Sequence, residues 1–280
     1  AYLALALCSG WIGVWVIARL HGRPRPRWRW PTLGQGRAVA PHVLATLVAL
    51  LGGAAVPLGA PLEWKGQSYA WHVLGDAEGG ILIASSFTWL AAGLLLASER
   101  IGGGWSLPTR QVLAPLLTCG AISLLALPGL AIAAAPLAER GGAGLSVAAI
   151  IAAQQRWYGL AWLGITQPLA LLVWFACTLG VHPGGQGQAS LTWHLITLNW
   201  ALLTTVAFLG GWQGPLADRV AGLGYVYTTA KVAVLTVLRV WAAACLPIDH
   251  PLRRARTAWM VYMPALLVNL ILTAGLAVLR

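Results

Sequence analysis

Three side chains stand inside long apolar runs with groups able to do chemistry: Lys231, Arg239 and His194. A charged group in such a run is expensive and persists where it is used or paired. Lys231 and Arg239 are eight positions apart, about 12 Å along a helix at ~1.5 Å per residue. That is a little over two turns, so they share nearly one face. Two readings of Lys231 stand: a proton-path or partner-facing cation, or a buried cation paired with a carboxylate from a neighbouring subunit. This chain offers no acid at that depth. Arg239, nearer the end of its run, is expected to snorkel to the interface. His194 has no second histidine or acid at helical spacing and reads as a satisfied polar residue, not a ligand.

What is missing is equally informative. All seven carboxylates fall in loops or at the edges of apolar runs. No P-loop, Gly-x-Gly-x-x-Gly or His-Glu-x-x-His stands in the chain. No catalytic residue, metal ligand or cofactor-binding residue is assigned. The cysteines, Cys8, Cys119, Cys177 and Cys245, are far apart, lie in apolar runs and form no Cys-x-x-Cys pair. They read as small hydrophobic fillers.

The elements that position these groups are helices in a bilayer. The chain of 280 residues is 59% hydrophobic and 9% charged, with mean hydropathy +0.74, whereas soluble domains carry about 25% charged residues. Continuous apolar runs of about 20 residues recur without two-residue alternation, which argues against a β-barrel. The expected fold is all-α: one integral membrane domain, 1–280, with about eight spans near 2–19, 38–58, 80–98, 109–135, 158–181, 190–210, 224–246 and 258–279. The first run lacks a basic leader and meets an Arg-rich stop, so it reads as a retained helix. Pro115 and Pro128 predict a kink or break in the fourth span.

Basic residues set the orientation. The first loop holds Arg19, Arg23, Arg25, Arg27, Arg29 and Arg37, the third Arg100, and the seventh Arg253, Arg254 and Arg256. The even loops carry Glu63, Asp76, Glu78, Glu139 and Asp218. The odd loops are therefore expected in the cytoplasm and both termini outside, in an inner (cytoplasmic) membrane. The net charge of +11 is explained by topology and does not call for nucleic acid. The Arg-Pro-Arg-Pro-Arg-Trp-Arg-Trp stretch is a lipid-facing anchor, a docking loop for a cytoplasmic partner, or both. Most of the sixteen Trp fall at expected span ends, where interfacial belts place them.

A last stretch ties the pattern together. Phe208-Leu209-Gly210-Gly211-Trp212-Gln213-Gly214-Pro215 is a turn-rich break ending an apolar run. Lys231, Leu246-Pro247, a basic hairpin at Arg253, Arg254 and Arg256, then Trp259, Pro264 and Asn269 follow in order. This set closely resembles the C-terminal part of the H-type subunit of NADH-quinone oxidoreductase, which joins the membrane and redox arms of respiratory complex I. Gly80-Ile81-Leu82, Arg110, Gln154-Gln155 and Trp157 extend the resemblance over nearly the whole chain.

The resemblance implies an eight-helix core, a basic first loop framing a quinone entrance, antiporter-like membrane neighbours, and a cytoplasmic module on the odd loops. It also exposes departures. The family's Tyr-Glu pair in the fourth span falls at Thr118-Cys119, and its Ala-Glu in the fifth at Cys177-Thr178. A family Glu in the sixth span falls at Trp193, the Arg before its Leu-Pro at Ala243, and an acid of the seventh loop at Leu252. In the family these residues line the quinone chamber and the acidic coupling path.

The expectation is therefore a non-catalytic membrane-anchor subunit of a complex I-related redox assembly that could translocate ions, without the standard quinone and acidic coupling path. The alternative is a degenerate scaffold subunit of an energy-converting hydrogenase-like or other non-redox membrane complex. An independent transporter would need intramembrane acids or paired broken helices, which the sequence lacks. Lys231, Arg239 and His194 are the candidate coupling or partner-contact residues. Arg23, Arg25, Arg27, Arg29, Arg253, Arg254 and Arg256 are the candidate docking residues.

Overall fold

The architecture comes from a computed structural model. It describes residues 36–59, 62–64, 67–69, 77–101, 109–134, 145–154, 163–179, 191–217, 220, 222–245 and 251–279. The expected span at 2–19, and with it Arg23, Arg25, Arg27 and Arg29, lies outside the described residues.

The apolar runs form helices, two of which continue through internal prolines. The helices are α1 (Gly36–Ala54), α2 (Gly80–Ile101), α3 (Thr109–Ala134), α4 (Val147–Ala153), α5 (Leu163–Thr166), α6 (Pro168–Leu179), α7 (Leu191–Phe208), α8 (Leu223–Cys245), α9 (Pro251–Thr257) and α10 (Met263–Val278). A π-helical turn, Ala258–Tyr262, joins α9 to α10. Among the described residues, five segments are long and apolar enough to cross a membrane by length and composition: Gly80–Ser98, Leu113–Ile132, Leu191–Phe208, Leu223–Ala243 and Leu252–Leu276. Val39–Ala54 and Pro168–Leu179 are shorter apolar helices. The chain is a multi-pass helical membrane protein.

Several details depart from expectation. The fourth span is not broken: α3 runs through Pro115 and Pro128 as one helix. The fifth is broken at Gln167, between α5 and α6, because Pro168 has no N–H and disfavours helical geometry in the residue before it. Two further elements escape the hydropathy pattern. One is the short buried α4; the other is an antiparallel hairpin of β1 (Leu62–Trp64) and β2 (Gln67–Tyr69), pairing Glu63 with Ser68.

The bundle is built around α7, which is buried along almost its whole length. α1 and α2 pack together and against one side of it, while α8 takes another. α3 lies against α2, α6, α9 and α10. Trp89, Trp174, Trp200 and Phe208 make an aromatic row through the centre, Trp200 standing 4.9 Å from Trp89 and 5.6 Å from Trp174, and Trp174 6.1 Å from Phe208, between ring centroids. These tryptophans are core residues and not members of an interfacial belt. Trp174 Nε1 donates to Thr204 Oγ1 at 3.0 Å and Trp89 Nε1 to Ser123 Oγ at 2.9 Å. Each hydroxyl thereby answers an indole N–H that has no water to turn to.

Candidate functional site

The densest polar construction lies where α7 ends. A helix that stops inside a bilayer-sized core leaves carbonyls and N–H groups that no water satisfies. Gly210 and Gly211 take φ of +71° and +52°, a region open to glycine at little cost. The chain folds back so that Leu209 N–H and Gly211 N–H both reach the Thr205 carbonyl, at 3.0 and 2.9 Å. Gly211 is also sterically required, since a Cβ there would stand 2.6 Å from Ile151 Cδ1. Gly211→Ala is expected to lose roughly 2–3 kcal/mol from strain and overpacking. Thermal denaturation in detergent would read this loss.

Two side chains complete the turn. Lys231 Nζ, two turns into α8, donates to the carbonyls of Leu209, Gly211 and Gln213 at 2.8, 3.0 and 2.7 Å. An ammonium has three donors, and here each finds a main-chain acceptor of the same turn. Gln154, fully buried at the end of α4, works from the other side. Its Nε2 donates to the carbonyls of Val206 at 3.0 Å and Ile150 at 3.2 Å, with Ala207 at 3.4 Å. Its Oε1 accepts from Gly210 N–H at 2.9 Å and Leu163 N–H at 3.1 Å. Tyr227 Oη closes the far end on the Pro215 carbonyl at 2.8 Å. The Phe208–Pro215 stretch is thus a backbone clasp, held by one cation and one amide. The sequence makes Lys231 a coupling or partner-contact cation; its geometry ties it to this chain's own backbone.

Arg239 does not snorkel. It is 3% exposed, and its Nη1 donates to Thr178 Oγ1 on α6 at 2.8 Å. The Phe175 ring lies under the guanidinium, 5.2 Å from Cζ to centroid, a stacking contact suited to a desolvated arginine. Among the described residues, its Nε has no hydrogen-bond partner. The long side chain turns inward because α6 supplies both a hydroxyl and a ring at that level. Lys231 and Arg239 therefore act on different elements: the clasp and α6.

His194 is buried on α7, its ring 4.9 Å from that of Trp193. His42, which sequence reasoning passed over, joins three helices. Its Nε2 pairs with Thr192 Oγ1 at 3.1 Å and its Nδ1 with Ser98 Oγ at 3.4 Å, while the Thr46 and Thr192 hydroxyls meet at 2.7 Å. The signal available was a His-x-x-x-Thr pair on one helical face. Among the described residues, no group of three or more His, Cys, Asp or Glu could hold a metal. Arg253 and Arg256 on α9 are exposed and Arg254 is half-buried.

A second polar knot binds the break between α5 and α6 to α10. Asn269 Nδ2 donates to Gln167 Oε1 at 2.6 Å, and Gln167 Nε2 to Thr273 Oγ1 at 2.9 Å. The Thr273 hydroxyl donates to the Asn269 carbonyl at 2.7 Å. The π turn sets this register: Met263 N–H reaches five residues back to Ala258, just before Pro264, whose missing N–H would leave an α-helical ladder open. Asn269 and Thr273 were readable as an i, i+4 polar pair; Gln167 was hidden at the helix break. Asn269→Leu is expected to cost about 1–3 kcal/mol by orphaning buried amide groups. The check is a thermal melt beside the double variant Gln167→Leu/Asn269→Leu, which should recover part of the loss.

With this geometry in place, the likeness to known proteins gains meaning. Residues 190–274 match the family model for NADH dehydrogenase, the segment that holds α7, the clasp, α8 and the π turn. The second H-type NADH-quinone oxidoreductase subunit of Cereibacter sphaeroides (strain ATCC 17029 / ATH 2.4.9) is 40% identical over 87 residues, 31% of this chain and 26% of that protein. The first H-type subunit of the Geobacter sulfurreducens enzyme is 28% identical over 266 residues, 84% of this chain and 73% of that one. Among solved structures, a chain of the membrane-bound sulfane sulfur reductase, an archaeal respiratory membrane complex, superposes with TM-score 0.66 over 97% of this chain and 95% of that one. At 15% identity that likeness concerns the fold.

Proposed function

We propose that this chain, a divergent homologue of the H-type subunit of NADH-quinone oxidoreductase, is a non-catalytic membrane-anchor subunit of a complex I-related assembly in the inner membrane. It joins a cytoplasmic module, docked on the basic odd loops, to antiporter-like membrane subunits. The observation that carries this reading is the coincidence of the family-matched segment with the clasp. The matched part of the chain is a mechanical joint. Lys231 holds the chain's own backbone there, while Arg239 and Asn269 tie neighbouring helices together, which suits a rigid anchor.

The same inventory speaks against the standard coupling path. By the sequence pattern, the seven carboxylates fall in loops or at span edges. Cys177 and Thr178, where the resembled family carries an acid, are closed in the core, and the Thr178 hydroxyl is taken by Arg239. These residues do not fit a chamber that exchanges protons with a quinone. Orientation follows from the basic loops, with both termini outside and Arg253, Arg254 and Arg256 on the cytoplasmic face.

The test is affinity purification in mild detergent with mass spectrometry of the co-purifying chains. Antiporter-like subunits together with an iron–sulfur or hydrogenase-like module are expected. A stable chain recovered alone would overturn the assignment. Unrelated partners would also overturn it and favour a scaffold recruited to another complex.

A further inference from the structure

His42 on α1 reaches two other helices through hydroxyls, and those hydroxyls decide where its ring carries hydrogen. Its Nδ1 stands 3.4 Å from Ser98 Oγ on α2, and its Nε2 3.1 Å from Thr192 Oγ1 on α7. A hydroxyl has one proton to give. Ser98 gives its own to the Leu95 carbonyl at 2.7 Å, so it meets the ring as an acceptor and Nδ1 carries the hydrogen. Nε2 is then the basic atom. It faces two hydroxyls that can point either way: Thr192 and Thr46 lie 2.7 Å apart, and Thr46 Oγ1 lies 2.9 Å from the His42 carbonyl. Ser98 and Thr192 are buried and the ring is half-buried, so these partners set its tautomer more than water does. α1 packs on α2 and α7. Among the described side chains of those two helices the titratable one is His194, whose ring lies against Trp193. In the sequence, Arg37 precedes His42 by five positions, and Glu99 and Arg100 follow Ser98.

We propose that His42 is a proton-binding site at the joint of α1, α2 and α7, where the Thr192 and Thr46 hydroxyls reverse as the proton comes and goes. In the neutral ring Nδ1–H donates to Ser98 Oγ. Thr46 O–H donates to Thr192 Oγ1, and Thr192 O–H to the Nε2 lone pair. On protonation a hydronium ion gives its proton to Nε2 and leaves as water. Nε2–H then donates to Thr192 Oγ1, Thr192 O–H turns to Thr46 Oγ1, and Thr46 O–H turns to the His42 carbonyl. The site gains one proton and one positive charge. Ser98 keeps its bond to Leu95 in both states. Each ring nitrogen and each hydroxyl has a partner in either state, at the distances of a single structure. Neither state therefore strands a buried polar group, the cost that would bar one of them. The exchange needs two hydroxyl rotations and no helix movement. The proposal does not depend on the anchor role above.

The experiment uses the full chain in lipid vesicles, with histidine isotope-labelled in its ring, read by solid-state NMR across a range of about pH 4 to 9. The His42 signal is assigned by its loss in His42→Gln, or by its through-space contact with Thr192 if that variant folds poorly. The ring is expected to pass reversibly from imidazolium to neutral as pH rises. Its neutral form should be mainly the Nδ1–H tautomer, the reverse of the order in free histidine. Ser98→Ala should shift the neutral ring toward Nε2–H, a change that a merely space-filling histidine would not show. A wild-type neutral ring with its hydrogen on Nε2 would overturn the proposal. So would a ring whose proton count stays constant across the range, or a tautomer unmoved by Ser98→Ala. The wild-type spectra decide the matter alone if the alanine variant folds poorly.

Discussion

Lys231→Met is expected to remove about 3–5 kcal/mol of stability from the isolated chain, which lowers its Tm in detergent by on the order of 10 °C. The reason is local. Three carbonyls of one turn, on Leu209, Gly211 and Gln213, share this ammonium, and methionine offers them no donor. Each buried acceptor left unmade is worth about 1–3 kcal/mol; the second lone pair of a carbonyl and the relief of a desolvated charge hold the sum toward the lower end. Lys231→Arg should fall between, because a planar fork cannot converge on three acceptors as an ammonium does. The measurement separates the two uses of the lysine. A clasp residue destabilises the chain on its own when removed. A lysine serving only a neighbouring subunit's carboxylate would leave the isolated chain's Tm unchanged and weaken only the assembly.

Gln154→Leu should be nearly as damaging, at roughly 3–5 kcal/mol, although it changes no charge and little volume. It strips the acceptor from Gly210 and Leu163 N–H and the donor from the Val206 and Ile150 carbonyls. Hydrogen exchange resolves the effect by position, with the Gly210 and Leu163 amides losing protection first. Gln154→Glu keeps an acceptor for those two amides and loses the donor, so its Tm should lie between wild type and leucine. Equal melting of all three proteins would show that α4 is not fastened to the clasp through this side chain.

How much of this was legible depended on range. The apolar runs announced most helices because hydrophobic length is a local property. The Phe208–Pro215 break announced itself through glycine and proline. The use of Lys231 did not. Its carbonyl partners lie 18 to 22 positions earlier, and a lysine inside an apolar run reads the same whether it serves a turn or a neighbour. Arg239 was misplaced for the converse reason: snorkelling is the default for a cation near a span end, and only tertiary packing supplies Thr178 and Phe175. The break at Gln167 was written in Pro168, but the polar knot it forms with α10 was not.

The enclosure of α7 has a consequence for how the chain is made. Synthesis runs from the N-terminus, so α7 enters the membrane before α8 exists. At that moment the side that α8 will cover is open to lipid. Its clasp carries bare carbonyls until Lys231 has emerged. The newborn protein therefore passes through an interval in which its most central helix still lacks one of its walls. Membrane proteases should cut chains stalled before α8 and spare those released after it. The age of the nascent chain, and not its hydropathy, decides when this protein becomes safe to leave the insertion machinery.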